Sequence, residues 1–169
     1  MLKPQDLLVA LKLWTGRDQK WSYPSLALSL GMSVASVHAA VKGAAAAGFL
    51  PGGGLAARPN PDALLEFLVH GAPYVYPVRP GEMTRGVPTA HGAGPLRDLM
   101  ARSGEPDPVW PDPEGKARGP RLDPLHPSVP RAVATDPALY EILALLDAVR
   151  AGRARERQLA IRLLKERLE

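Results

Sequence analysis

The sequence contains no cysteine. That excludes disulfides, thiol nucleophiles and cysteine-ligated zinc together, and it fits a reducing compartment. Aromatic residues are scarce at 5 %, so Leu, Val and Ala must fill most of any core. No run approaches the roughly 18 apolar residues of a membrane span. The opening residues, MLKPQDLLVALKLWTG, carry Lys3, Asp6 and Lys12. They lack the apolar stretch and small-residue cleavage site of a signal peptide. A cytoplasmic protein without a membrane partner is expected.

Catalytic and metal signatures are missing as well. His38, His70, His91 and His126 are scattered, and none has the i, i+4 His partner and Glu of a helical zinc site. Ser128 stands near His126 in HPSVP, a turn rather than the strand-turn-helix elbow of a hydrolase. Asp107, Asp112 and Glu114 sit among prolines as solvated turn residues. The glycines at 52–54 precede no Lys-Ser/Thr pair that would cradle a phosphate. Neither an enzyme, a metal site nor a cofactor is expected.

Basic charge and turn-formers are present. Net charge is +4. Residues 1–60 hold six Lys/Arg and two Asp/Glu, so the excess lies in the N-terminal third and suits an anionic partner. The 19 prolines and 16 glycines cluster in the middle, where they favour strands and ordered loops over long helices.

Three helices read clearly in the first part. Leu7, Leu8, Leu11 and Trp14 keep a 3.6-residue period between Pro4 and Gly16. Ser22 caps a second helix with Leu26, Ala27 and Leu30 inward, and Gly31 ends it. Ser33 caps a third, with Val37, Val41 and Ala44 inward and Gly48 beyond its end. The alanines at 40, 44 and 47 suit close packing on the first helix. Short strands at 49–50 and 55–58, around a glycine turn, would form a β-wing. The Leu–Gly–x–Ser turn, the Ser-Val pair and the Ala-Gly-Phe-Leu exit fall in register. Over residues 4 to about 60 this pattern resembles the winged helix-turn-helix domains of bacterial regulators of the multiple-antibiotic-resistance-regulator type.

That resemblance implies double-stranded DNA as partner, with the third helix in the major groove and the wing along phosphates. The contact residues would be Ser33, Ala35, Ser36, His38, Ala39, Lys42 and Arg58. Lys20, with Lys3, Lys12 and Arg17, could hold the DNA backbone. The sequence departs from the family at Ala39 and Gly43, where basic residues are usual. Fewer phosphate contacts would weaken binding and flatten its salt dependence.

The remainder is less regular. Asn60 and Pro61 open a fourth helix that Gly71 closes, and residues 74–78 favour an edge strand. Residues 80–135 are Pro/Gly-rich but carry recurrent apolar anchors. They read as irregular and packed, mobile near 103–107, with VWPDPEGKARGPRL as a hairpin. Asp136 and Pro137 open an amphipathic helix that Gly152 breaks. The last helix buries Leu159, Ala160 or Ile161, Leu163, Leu164 and Leu168. The basic run GRARER, 152–157, puts Arg153, Arg155 and Arg157 at a helix start against the helix dipole, which suits phosphate or partner contacts.

The expected fold is α+β and mostly helical: a winged helix-turn-helix over 1–60, then a small α+β domain over 61–169 ending in a helical pair. The expected function is a transcriptional regulator acting as a homodimer. The layout also resembles, more loosely, the antitoxin-regulators of abortive-infection pairs. That implies a possible protein partner, a nucleotidyltransferase-type toxin. A third expectation is a ligand pocket lined by Tyr74, Tyr76 and Trp110.

Overall fold

The computed structural model describes every residue, Met1–Glu169. The fold is α+β and mostly helical, with one small antiparallel sheet. The chain forms two compact units. The first is Met1–Leu64 with Leu125–Leu139; the second is Leu65–Pro124 with Tyr140–Glu169. The leading segment of the first unit runs to Leu64, where the sequence suggested a boundary at 60. Residues 125–139, however, fold with the first unit and not with the second.

In the first unit, α1 (Pro4–Thr15), α2 (Tyr23–Leu30) and α3 (Val34–Ala46) follow the expected boundaries closely. The whole of Asp6–Trp14 is buried, not one stripe. Each fully buried leucine there, Leu7, Leu8 and Leu11, contributes about 2 kcal/mol. Gly31 takes φ +65°, and Met32 N–H donates to Ala27 O while Gly31 N–H donates to Leu28 O. This is a Schellman ending, which satisfies the last carbonyls of α2 and turns the chain sharply. Ser33 then caps α3 by accepting from Ser36 N–H. The axes of α2 and α3 bend by 99° across this turn, inside the range of a helix-turn-helix.

The wing is not formed. Residues 47–57 are turns, with no strand at 49–50 or 55–58. Gly52, Gly53 and Gly54 all have φ between +73° and +84°. Three successive left-handed residues curl the chain instead of sending two extended arms into pairing. Phe49 and Leu50 are buried, and Asn60 N–H donates to Phe49 O at 2.9 Å, closing the loop at its base.

The returning segment carries α7 (Val129–Val133) and the start of α8 (Pro137–Ala151). Asp136 accepts from Leu139 N–H and so caps α8, as expected. The same carboxylate takes the Lys12 ammonium at 2.8 Å and the Thr15 hydroxyl at 3.0 Å. Lys12 is thus a buried structural cation, and its expected role on a DNA backbone is corrected.

The fourth helix, which starts in the first unit, does not stop at Gly71. Pro61–Glu66 (α4) passes into a wider π-type turn at Phe67–Gly71, then α5 (Ala72–Val75). Ala72 N–H donates five residues back, to Phe67 O. Pro73 has no N–H and would clash with a carbonyl four residues earlier; the widened turn accommodates it. The strand expected at 74–78 is therefore replaced by helix and coil.

The strands are β1 (Met83–Pro88), β2 (Val109–Pro111) and β3 (Ala117–Pro120), in order β2-β1-β3. The expected hairpin is corrected. β2 and β3 each pair antiparallel with β1 and form no ladder with each other; Arg121, just past β3, makes an isolated parallel bridge to Val109. Gly86 permits this, because a Cβ there would overlap the Trp110 carbonyl. Between β1 and β2 lie a short 3-10 turn (Ala90–Gly92) and α6 (Gly94–Arg97). The last helix, α9 (Ala154–Arg167), buries Ala160, Leu163 and Leu164, and Leu168 just beyond it is buried too. Arg167, near the end of α9, donates to Glu141, near the start of α8, at 2.8 Å.

Candidate nucleic-acid interface

Burial divides α3 cleanly. Val37, Ala40, Val41 and Ala44 are buried, and the alanines let α1 and α3 sit close. Ala47 is exposed and takes no part in that packing. Ser33, Val34, Ala35, Ser36, His38, Ala39 and Lys42 are exposed on the other side. The sequence-derived contact set on α3 therefore occupies one open face.

Two hydroxyls and two rings are organised on it. Ser33 donates to Ser36 at 2.8 Å while capping the helix. His38 stacks on Tyr23, with ring centroids 3.5 Å apart and planes at 16°. Tyr23 opens α2, so the stack fixes the His38 ring plane from the neighbouring helix. Sequence reasoning missed Tyr23. Its signal was only its place beside the cap Ser22.

Gly43 does not belong to that face. It is half-buried, and a Cβ there would overlap the Asp6 carboxylate of α1. Asp6 in turn accepts from Lys3 N–H at 2.9 Å, closing the first turn of α1. A long basic residue at 43 is excluded by this packing. Ala39 is open, and its small size is not imposed by a neighbour.

Arg58 and Lys20 come together. They line, with Arg17 and Trp21, a cleft of about 520 Å³ whose lining contains no carboxylate. Arg17 lies 4.1 Å and Arg58 5.9 Å from the Trp14 ring centroid, so cation–π contact holds both guanidiniums. Arg17 also donates to Trp14 O at 2.9 Å. Trp21 donates to Gly16 O at 3.0 Å, which pins the loop between α1 and α2. Lys3 is exposed, away from that lining.

The arginines of the basic run divide. Arg153 and Arg155 are exposed and line a cleft of the second unit, whereas Arg157 is half-buried and outside that lining. The aromatic pocket is not formed. Trp110 is buried, Tyr74 is exposed, and Tyr76 meets Phe67 edge-on. Trp110 instead donates to Asp147 at 2.6 Å, beside Thr89 at 2.7 Å and Arg150 at 2.6 Å. Burial pushes the Asp147 carboxyl up from the ordinary carboxylate range; Arg150, Thr89 and Trp110 pull against it. This cluster is a structural core.

No group of His, Asp or Glu is arranged to hold a metal ion. No single helix is long and apolar enough to cross a membrane. No family model, curated protein or solved structure matches the chain.

Proposed function

We propose that this chain is a DNA-binding transcriptional regulator that reads an operator with α3 and works as a two-fold dimer. The observation that carries the reading is the open face of α3 on the second helix of a 99° helix-turn-helix. Ser36, His38 and Lys42 supply hydroxyl, imidazole and ammonium donors for bases and phosphates. Val34, Ala35 and Ala39 are small and apolar. They let the helix approach the groove closely and suit thymine methyl groups. The cleft of Arg17, Lys20 and Arg58 offers backbone phosphates the positive charge that a wing would otherwise bring.

Dimerisation follows from the energetics of paired half-sites, about one helical turn of DNA apart. The deciding experiment titrates the full chain with its own upstream DNA and with an unrelated duplex, from low to physiological salt. A preference for the upstream DNA that persists at physiological salt supports the reading. Equal, weak binding that vanishes on both duplexes refutes it.

A further inference from the structure

The second unit holds a cleft of about 520 Å³ that the DNA reading does not use. That volume lies within the usual range for small-molecule sites, roughly 300–1,000 Å³. Its charged groups come from separate segments: Arg97 from α6, Arg102 and Asp107 from the connection to β2, and Arg153, Arg155 and Glu156 from the start of α9.

The carboxylates of Asp107 and Glu156 are already engaged. Asp107 lies 3.4 Å from Arg102. Glu156 accepts from Arg153 N–H at 3.0 Å and lies 3.8 Å from His91. The side chains of Arg97, Arg153 and Arg155 have no such partner. Only Glu105 opposes them from the lining without a cation of its own. Arg153 and Arg155 also stand at the positive end of the α9 dipole, a position that repels cations unless an anion sits between.

Apart from His91 and Ser103, the rest of the wall is apolar or glycine, with Pro80, Met100, Pro108, Pro120 and Ala151 among its residues. Such a cleft suits an anionic head on an organic body. Guanidinium forks match phosphoryl oxygens two at a time, and converging arginines are the usual means of holding them.

We propose that this cleft binds a small phosphorylated organic molecule, with Arg97, Arg153 and Arg155 gripping the phosphoryl group and the proline–methionine wall covering the body. A free small ligand is favoured over a nucleic-acid backbone because the cleft pairs its arginines with an apolar wall of Pro80, Met100, Pro108, Pro120 and Ala151, which an organic body would cover.

The test uses inorganic pyrophosphate as probe, titrated calorimetrically into the full chain at low salt without divalent cations. Saturable one-to-one binding is expected. Arg153→Ala with Arg155→Ala should weaken it by about tenfold or more. Arg17→Ala with Arg58→Ala, in the other unit, should leave it unchanged. Glu105→Gln alters an exposed residue with no side-chain partner, so it should fold normally and tighten binding about twofold.

The proposal is overturned by no saturable binding, by equal binding of the Arg153/Arg155 variant, or by loss in the Arg17/Arg58 variant. A Glu105→Gln chain with unchanged affinity would do the same, even if the double variant fails to fold. An unrelated duplex that displaces pyrophosphate and loses affinity in the Arg153/Arg155 variant would reassign the cleft to nucleic-acid phosphates. None of these results depends on operator binding, so the DNA reading and this one fail separately.

Discussion

Lys12 and Asp136 stand 124 residues apart and meet at 2.8 Å with both side chains largely out of water. Asp136→Ala removes the α8 cap and leaves a buried ammonium unpaired. The expected cost is about 3 kcal/mol, read from the urea midpoint. Burial raises the Asp136 carboxyl, but Lys12, Leu139 N–H and Thr15 outweigh it and hold the group below its ordinary value. A depressed carboxylate stabilises the fold above the unfolded pKa, and that stability is lost as pH falls through the folded one. His126 behaves differently: desolvation lowers its pKa. The unfolded chain then takes the proton first, so stability declines as pH drops below about 6.5. Melting temperature recorded from pH 7.5 to 3 should show both losses. His126→Gln should remove only the upper one; an unaltered upper limb would contradict the assignment.

At the scale of elements, α3 and its neighbours carry two predictions. Gly43→Ala would ordinarily gain about 1 kcal/mol of helix propensity. Here the new methyl meets Asp6 and disturbs the first turn of α1, so a net loss of about 1 kcal/mol is expected from denaturation. A stabilised variant would show that α1 yields freely. On DNA, Arg58→Ala and Lys20→Ala should each lower the salt slope by about one unit while leaving sequence preference intact. Ser36→Ala and His38→Ala should instead reduce the gap between operator and unrelated duplex. Tyr23→Ala should mimic His38→Ala in part, because the stack at 3.5 Å is lost.

Across the whole chain, each unit has its own buried ion pair: Lys12–Asp136 joins distant segments in the first, and Asp147–Arg150 stand three residues apart on α8 in the second. Asp147→Ala strands the Arg150 guanidinium, whose side chain is only 3 % exposed and also donates to Tyr76 O. A loss of about 4 kcal/mol is expected, larger than for Trp110→Phe, which removes one donor and leaves the pair. Equal losses in denaturant titrations would mean that the indole bond, not the ion pair, dominates. If the chain acts as a dimer, operator affinity should fall steeply below the dimer's dissociation concentration, and sedimentation at matched concentrations would check it.

The sequence by itself determined the helices that announce themselves locally. Pro4, Ser22, Ser33 and Pro137 mark starts, Gly31 marks a stop, and the 3.6-residue apolar period fixes which face of α3 is inward. Caps and periods act within a few residues, so they are legible without a partner. The open face with Ser36, His38 and Lys42 followed from them. Tertiary structure decided what depends on close approach at long range. It placed β1 between two segments read as a hairpin, because Gly86 admits the Trp110 carbonyl. It replaced the wing with a curled glycine loop and carried the helix past Gly71 through the widened turn at Phe67–Gly71, ahead of Pro73. It also gave Gly43 to Asp6, buried Lys12, and gathered Arg17, Lys20 and Arg58 into one cleft. Such juxtapositions join residues with no shared local pattern, and only the folded chain brings them within reach.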